Sequence, residues 1–151
     1  MRIAILCSLF FAASLAHSDA PDENCQLVAG VGCGHFLINK TSKKELFSDT
    51  TTEAKYASEG ITFSFNSDDV LNTIVVTSSK YRTTKNISAG ASEHQVIKAY
   101  GKPEVGTGVL RKGTVPIGTV GDKVLAYPGI QFVMSRGKVW AVVIVAGGPE
   151  K

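Results

Sequence analysis

GITFSFNSDDVLNTIVV, from Gly60 to Val76, and GIQFVMSRGKVWAVVIV, from Gly129 to Val145, are one pattern written twice. Gly-Ile-x-Phe opens each stretch, and Val70, Ile74 and Val76 recur as Val139, Val143 and Val145. The offset is 69 residues at every matched position, with no gap. Such repetition fixes architecture before any single side chain is interpreted. Each stretch alternates with period two, as strands with one buried face do. Arg136-Gly137 reads as a two-residue hairpin turn, since Gly supplies the positive φ that a tight turn needs. Pairing outward from it predicts Ser135 opposite Lys138 and Met134 opposite Val139. Phe132 then faces Ala141, and Ile130 faces Val143. In the first stretch a turn at Ser67-Asp68 brings Phe65 to Val70, Phe63 to Asn72 and Ile61 to Ile74. The face shared by the two copies is the expected core.

The helix signals are doubled as well. Ser42-Lys43-Lys44-Glu45 precedes Leu46 and Phe47, and Ser92-Glu93-His94-Gln95 precedes Val96, Ile97 and Tyr100. Both are capping boxes, in which a Ser and a Glu or Gln three residues on satisfy each other's backbone N–H groups. Gly101 and Pro103 stop the second helix, and the first is expected to be about two turns. The copies differ between helix and hairpin. The second carries an insertion at 104–128, with strands expected around Val105–Leu110 and Val124–Tyr127. One helix on one hairpin buries too little to stand alone, so two copies sharing a sheet are expected. The fold class is α+β: two tandem helix-plus-antiparallel-β units, about 35–78 and 85–146, with the helices on one face of one sheet.

The ends set the compartment. Arg2 followed by the apolar run Ile3–Leu15 and small residues near 14–18 reads as a signal peptide over 1–18. The run is too short to span a bilayer comfortably, and no later run approaches about 20 apolar residues, so no membrane span is expected. The remaining 19–151 form one domain, of ordinary size. Of three cysteines, Cys7 leaves with the signal. Cys25 and Cys33 are expected to form a disulfide, as an even pair does in an oxidising compartment. A metal site at Cys25, Cys33 and His35 lacks a fourth ligand and tight spacing. Periplasmic or secreted localisation follows.

The composition argues against several classes. The net charge is +3, and Lys and Arg are scattered rather than striped, so nucleic acid is not an expected partner. His17, His35 and His94 have no carboxylate or nucleophile at a catalytic spacing. Asp68-Asp69 reads as a solvated turn, and Gly30 to Gly34 lacks the Lys of a phosphate loop. No catalytic residue, metal or cofactor is expected, and the chain is read as non-enzymatic.

Resemblance sharpens the reading. Ile87-x-x-Gly90-x-Ser92, Val96, Tyr100-Gly101-Lys102-Pro103, then Gly129-Ile130-x-Phe132, Gly137-Lys138-Val139 and Val143-x-Val145 resemble the small envelope modules of the SmpA/OmlA type. The pattern is also similar to the β-lactamase-inhibitory-protein fold, in which two such units sit in tandem. The resemblance implies protein recognition by an inhibitor or immunity-type protein, or alternatively a structural or assembly module of the bacterial envelope.

The outer hairpin faces are then the place to look. Strict alternation puts Thr62, Ser64, Leu71, Thr73 and Val75 outward in the first copy. In the second it puts out Gln131, Val133, Trp140, Val142 and Ile144. A sheet apolar on both faces is either covered or used. Covered, Trp140 lies under a helix or the 104–128 insertion. Used, it anchors a protein partner, with Val133, Val142 and Ile144 around it and Tyr127 and Tyr81 at the rim.

Overall fold

The structure is a computed structural model that describes residues 25–47, 56–107 and 123–146. The signal segment 1–18 and the middle of the 104–128 insertion lie outside the described residues. Along the chain come β1 (Gln26–Val28), β2 (Gly32–Cys33), β3 (Phe36–Leu37), α1 (Lys43–Leu46), β4 (Ile61–Phe65) and β5 (Leu71–Val76). There follow β6 (Arg82–Thr83), α2 (Glu93–Tyr100), β7 (Glu104–Thr107), β8 (Lys123–Tyr127), β9 (Ile130–Ser135) and β10 (Lys138–Val145). The class is mixed α+β. A six-stranded sheet runs β4-β5-β10-β9-β8-β7, and a small sheet runs β3-β2-β1-β6.

Both repeated stretches fold as hairpins, but their turns differ by one residue. In the second, Arg136 and Gly137 both have positive φ, and Ser135 pairs with Lys138. This is the two-residue turn whose twist suits a hairpin. In the first, the Asn66 N–H donates to the Val70 carbonyl across Ser67, Asp68 and Asp69. Asp69 takes positive φ, and the Asn66 side chain accepts from the Asp68 and Val70 N–H groups. A three-residue loop with its last residue left-handed is the next commonest hairpin solution. The offset between copies is therefore 69 before the turn and 68 after it.

A bulge follows each turn. Met134 pairs with Val139 as expected, but Val133 then pairs with Ala141, leaving Trp140 as an extra residue. Phe65 pairs with Leu71 and Ser64 with Thr73, leaving Asn72 extra at the equivalent place. Beyond a bulge every side chain changes face relative to strict alternation. Phe132 therefore faces Val142, not Ala141, and Ile130 faces Ile144, not Val143. In the first hairpin Phe63 meets Ile74 and Ile61 meets Val76.

These corrected positions reveal an internal symmetry. β5 and β10 pair antiparallel, with Val75 opposite Val143, Ile74 opposite Ile144 and Val76 opposite Val142. Val75 and Val143 are equivalent residues of the two hairpins, so a local twofold axis passes between them. The connections preceding the hairpins obey it too. Ser42 bridges to Val70 and Ser92 to Lys138. The Lys43 N–H donates to the Asp69 carbonyl, and the Glu93 N–H to the Gly137 carbonyl. At the far ends the Thr77 and Val145 N–H groups donate to the Gly60 and Gly129 carbonyls.

Both helices start as their sequences predict, with complete capping boxes at Ser42 and Ser92. α1 is a single turn rather than two, ending at Phe47, whereas α2 runs to Gly101 at φ 86°. The expected insertion strands are β7 and β8, which extend the sheet beyond β9. Leu46 of α1 and Val96 of α2 join Ile61, Phe63, Leu71, Ile74, Val76, Leu125, Ile130, Phe132, Met134, Val139, Val142 and Ile144 in the main core. The small sheet closes this side, contributing Leu27, Cys33 and Phe36. A Cys25–Cys33 disulfide, with Cα atoms 5.6 Å apart, ties its first two strands. The Gly30 N–H donates to the Gly129 carbonyl at 2.9 Å, docking its first turn onto the β8–β9 turn.

Candidate protein-binding surface

Trp140 is 45% exposed, one of few large apolar side chains that reach solvent among the described residues. Its neighbours Val139 and Ala141 are buried, on opposite sides of the sheet. The bulge explains this. Two residues, Trp140 and Ala141, oppose one, Val133, and the unpaired position is free to aim its side chain away from the layer. Arg136, Gly137 and Lys138, just before it, are exposed.

The other predicted anchors separate. Val142 and Ile144 are not on the outer face. The register shift carries them into the main core, where both are fully buried. Val133 is on the outer face and is buried in a second cluster with Val75, Val124, Ala141 and Val143. Leu71, expected outward, is also in the main core. Tyr127 is half-buried on the helix side. It packs 5.2 Å from Tyr100 and 6.0 Å from Phe132, and its hydroxyl donates to the Gly101 carbonyl at 3.0 Å. Tyr81, expected at the rim, is buried and its hydroxyl donates to the Glu59 carboxylate. Trp140 therefore stands alone of the expected aromatic set as an exposed anchor.

Strict alternation hides the second cluster, because it points Ala141 and Val143 inward. All its members lie in the six-stranded sheet, and no described helix contributes to it. The signal that would have found it is the extra residue at Asp68-Asp69, which breaks the gapless match. Two polar atoms of the sheet are also unmatched. Ser64 Oγ and Asn72 Oδ1, at the first bulge, are buried with no hydrogen-bond partner. Leaving such groups unmatched costs about 1–3 kcal/mol each.

Elsewhere the polar side chains are explained locally. His35 is exposed, its ring 3.9 Å from that of Phe36, and His94 is exposed on α2. Asp68 and Asp69 lie exposed in the first hairpin turn. No group of three or more metal-ligating side chains occurs among the described residues. Glu45 sits below the usual carboxylate range because the Ser42 backbone and hydroxyl donate to it. Burial pushes the Tyr100 phenol up, against hydrogen bonds from Thr83 and Thr84. Burial pushes Tyr127 up too, helped by the negative charge of Glu93. Lys123 bridges to Glu93 at 2.5 Å on the exposed side of this cluster. No described helix is long and apolar enough to cross a membrane.

No family model, characterised protein or solved structure matches the chain.

Proposed function

We propose that this chain is a secreted or periplasmic protein-binding module, of the inhibitor or immunity type, that engages an exported or envelope enzyme through the surface around Trp140. The observation that carries the reading is the exposed indole itself. A tryptophan held at a bulge, between the buried Val139 and Ala141, offers a large rigid contact at little entropic cost, and such residues dominate interface energetics. The Cys25–Cys33 disulfide supports an oxidising compartment. The tandem units and the expected export favour an inhibitor or immunity role.

The test is affinity capture with the mature chain from its own envelope and culture fluid, followed by titration of each partner. Trp140→Ala is expected to weaken binding by about 2 kcal/mol or more while leaving the thermal midpoint nearly unchanged. Equal affinity of the folded variant for every captured partner would refute the anchor.

A further inference from the structure

The local twofold axis leaves the two hairpins unequally clothed. β9 is the outer strand of the second hairpin, and β8 lies along its free edge, with Tyr127 opposite Ile130, Leu125 opposite Phe132 and Lys123 opposite Met134. The equivalent edge belongs to β4, which ends the sheet order and pairs with β5 alone among the described residues. In β4 the hydrogen-bonded pairs across to β5 are those in phase with the Thr77-to-Gly60 bond, namely Thr62 with Val75 and Ser64 with Thr73. The N–H and C=O groups of Ile61, Phe63 and Phe65 therefore turn toward the edge that no described strand pairs with. Their equivalents in β9 are the groups that hold β8.

We infer that the β4 edge accepts an extended polypeptide strand from a protein partner, added antiparallel in the way β8 is added to β9. The inference rests on the protein-binding reading above and names a second contact for it. Strand addition supplies affinity through main-chain hydrogen bonds and specificity through alternate side chains. The axis dictates which side chains fit. A residue opposite Phe63 takes the place of Leu125 and is large and aliphatic. One opposite Ile61 takes the place of Tyr127 and is aromatic. A residue beside Ser64 takes the place of Val124, and here the two edges differ in chemistry. Val133, facing Val124, is apolar, whereas its counterpart Ser64 is polar and only 8% exposed. Its hydroxyl and the nearby Asn72 carbonyl oxygen have no partner. The incoming strand thus carries a hydroxyl or amide side chain at that position, which satisfies the Ser64 hydroxyl.

The probe is a synthetic peptide with the β8 sequence Lys-Val-Leu-Ala-Tyr and flanking residues, titrated into the oxidised chain at millimolar concentration by amide NMR. Binding is expected to shift the Phe63 and Phe65 amides and to slow their hydrogen exchange, which in the free chain is much faster than that of Phe132. Replacing the peptide's Val by Thr is expected to tighten binding about two- to tenfold, the worth of one recovered hydrogen bond. Ser64→Val in the chain abolishes that preference. N-methylation at the peptide's Leu, whose N–H faces the edge, eliminates binding, and N-methylation at its Ala does not. Absence of any shift overturns the inference, as do shifts confined to other strands or Phe63 and Phe65 amides already protected in the free chain. The Trp140 anchor is judged separately by the capture experiment, so either reading can fail without the other.

Discussion

Trp140 owes its exposure to a single unpaired position in β10. The chain holds one tryptophan, so its fluorescence reports this site alone. Emission is expected to be red-shifted and strongly quenched by acrylamide in the free chain, and to move to the blue when a partner covers the ring. Two glycines give a sharper residue-scale contrast. Gly137 and Gly129 both have positive φ, at 76° and 72°. A Cβ on Gly137 meets nothing within 4 Å, so Gly137→Ala is expected to cost only the left-handed backbone strain, about 1 kcal/mol. A Cβ on Gly129 falls 2.4 Å from the Gly30 nitrogen, where the small sheet docks. Gly129→Ala is expected to cost about 3 kcal/mol or more, measured by urea denaturation. Tyr100 and Tyr127 set an alkaline limit. Both phenols are raised in the folded chain, so their contribution is full below the ordinary tyrosine value of about 10 and is lost as pH climbs through the raised values. Urea midpoints are expected to fall above about pH 10, and less steeply in Tyr127→Phe.

Among elements, the helix starts were the easiest to read, because a capping box is local and its partners lie three residues apart. Ser92→Ala is expected to destabilise the fold by about 0.5–2 kcal/mol, with helical signal lost from α2 in preference to the sheet. The hairpins were legible for the same reason as far as their turns. Beyond the turns, period two stopped discriminating. Val139 to Val145 is apolar in either register, so nothing in the run itself shows that Trp140 is skipped. The first copy held the missing clue. Strict alternation places polar Asn72 on the core face opposite Phe63, a conflict that a bulge removes. Consequently Trp140 lies at the surface, while Val142 and Ile144, expected beside it, lie in the core. The small sheet was invisible for a different reason. Two- and three-residue strands such as β2 and β1 are too short to show any period, and they exist because Leu27, Cys33 and Phe36 pack against the larger sheet.

At the scale of the whole molecule, the disulfide closes a short loop of eight residues' separation, from Cys25 to Cys33. Reduction, or Cys25→Ser with Cys33→Ser, is expected to lower stability by about 2–3 kcal/mol at most, because short loops gain little from a cross-link. The loss should appear first at the small sheet, as faster amide exchange in β1 and β2, while the six-stranded sheet keeps its protection. The local twofold axis passes through that larger sheet, and the small sheet and β7–β8 are the parts that break it.

The paired bulges have a consequence for how such a frame diversifies. A residue outside the ladder has no cross-strand partner to satisfy, so its identity is uncoupled from the pairing of its neighbours. The same slot holds a tryptophan in one hairpin and an asparagine in the other, each at a one-residue bulge. At Trp140 the slot behaves as a display position, where a new side chain alters what the surface recognises without rewriting the strands that carry it.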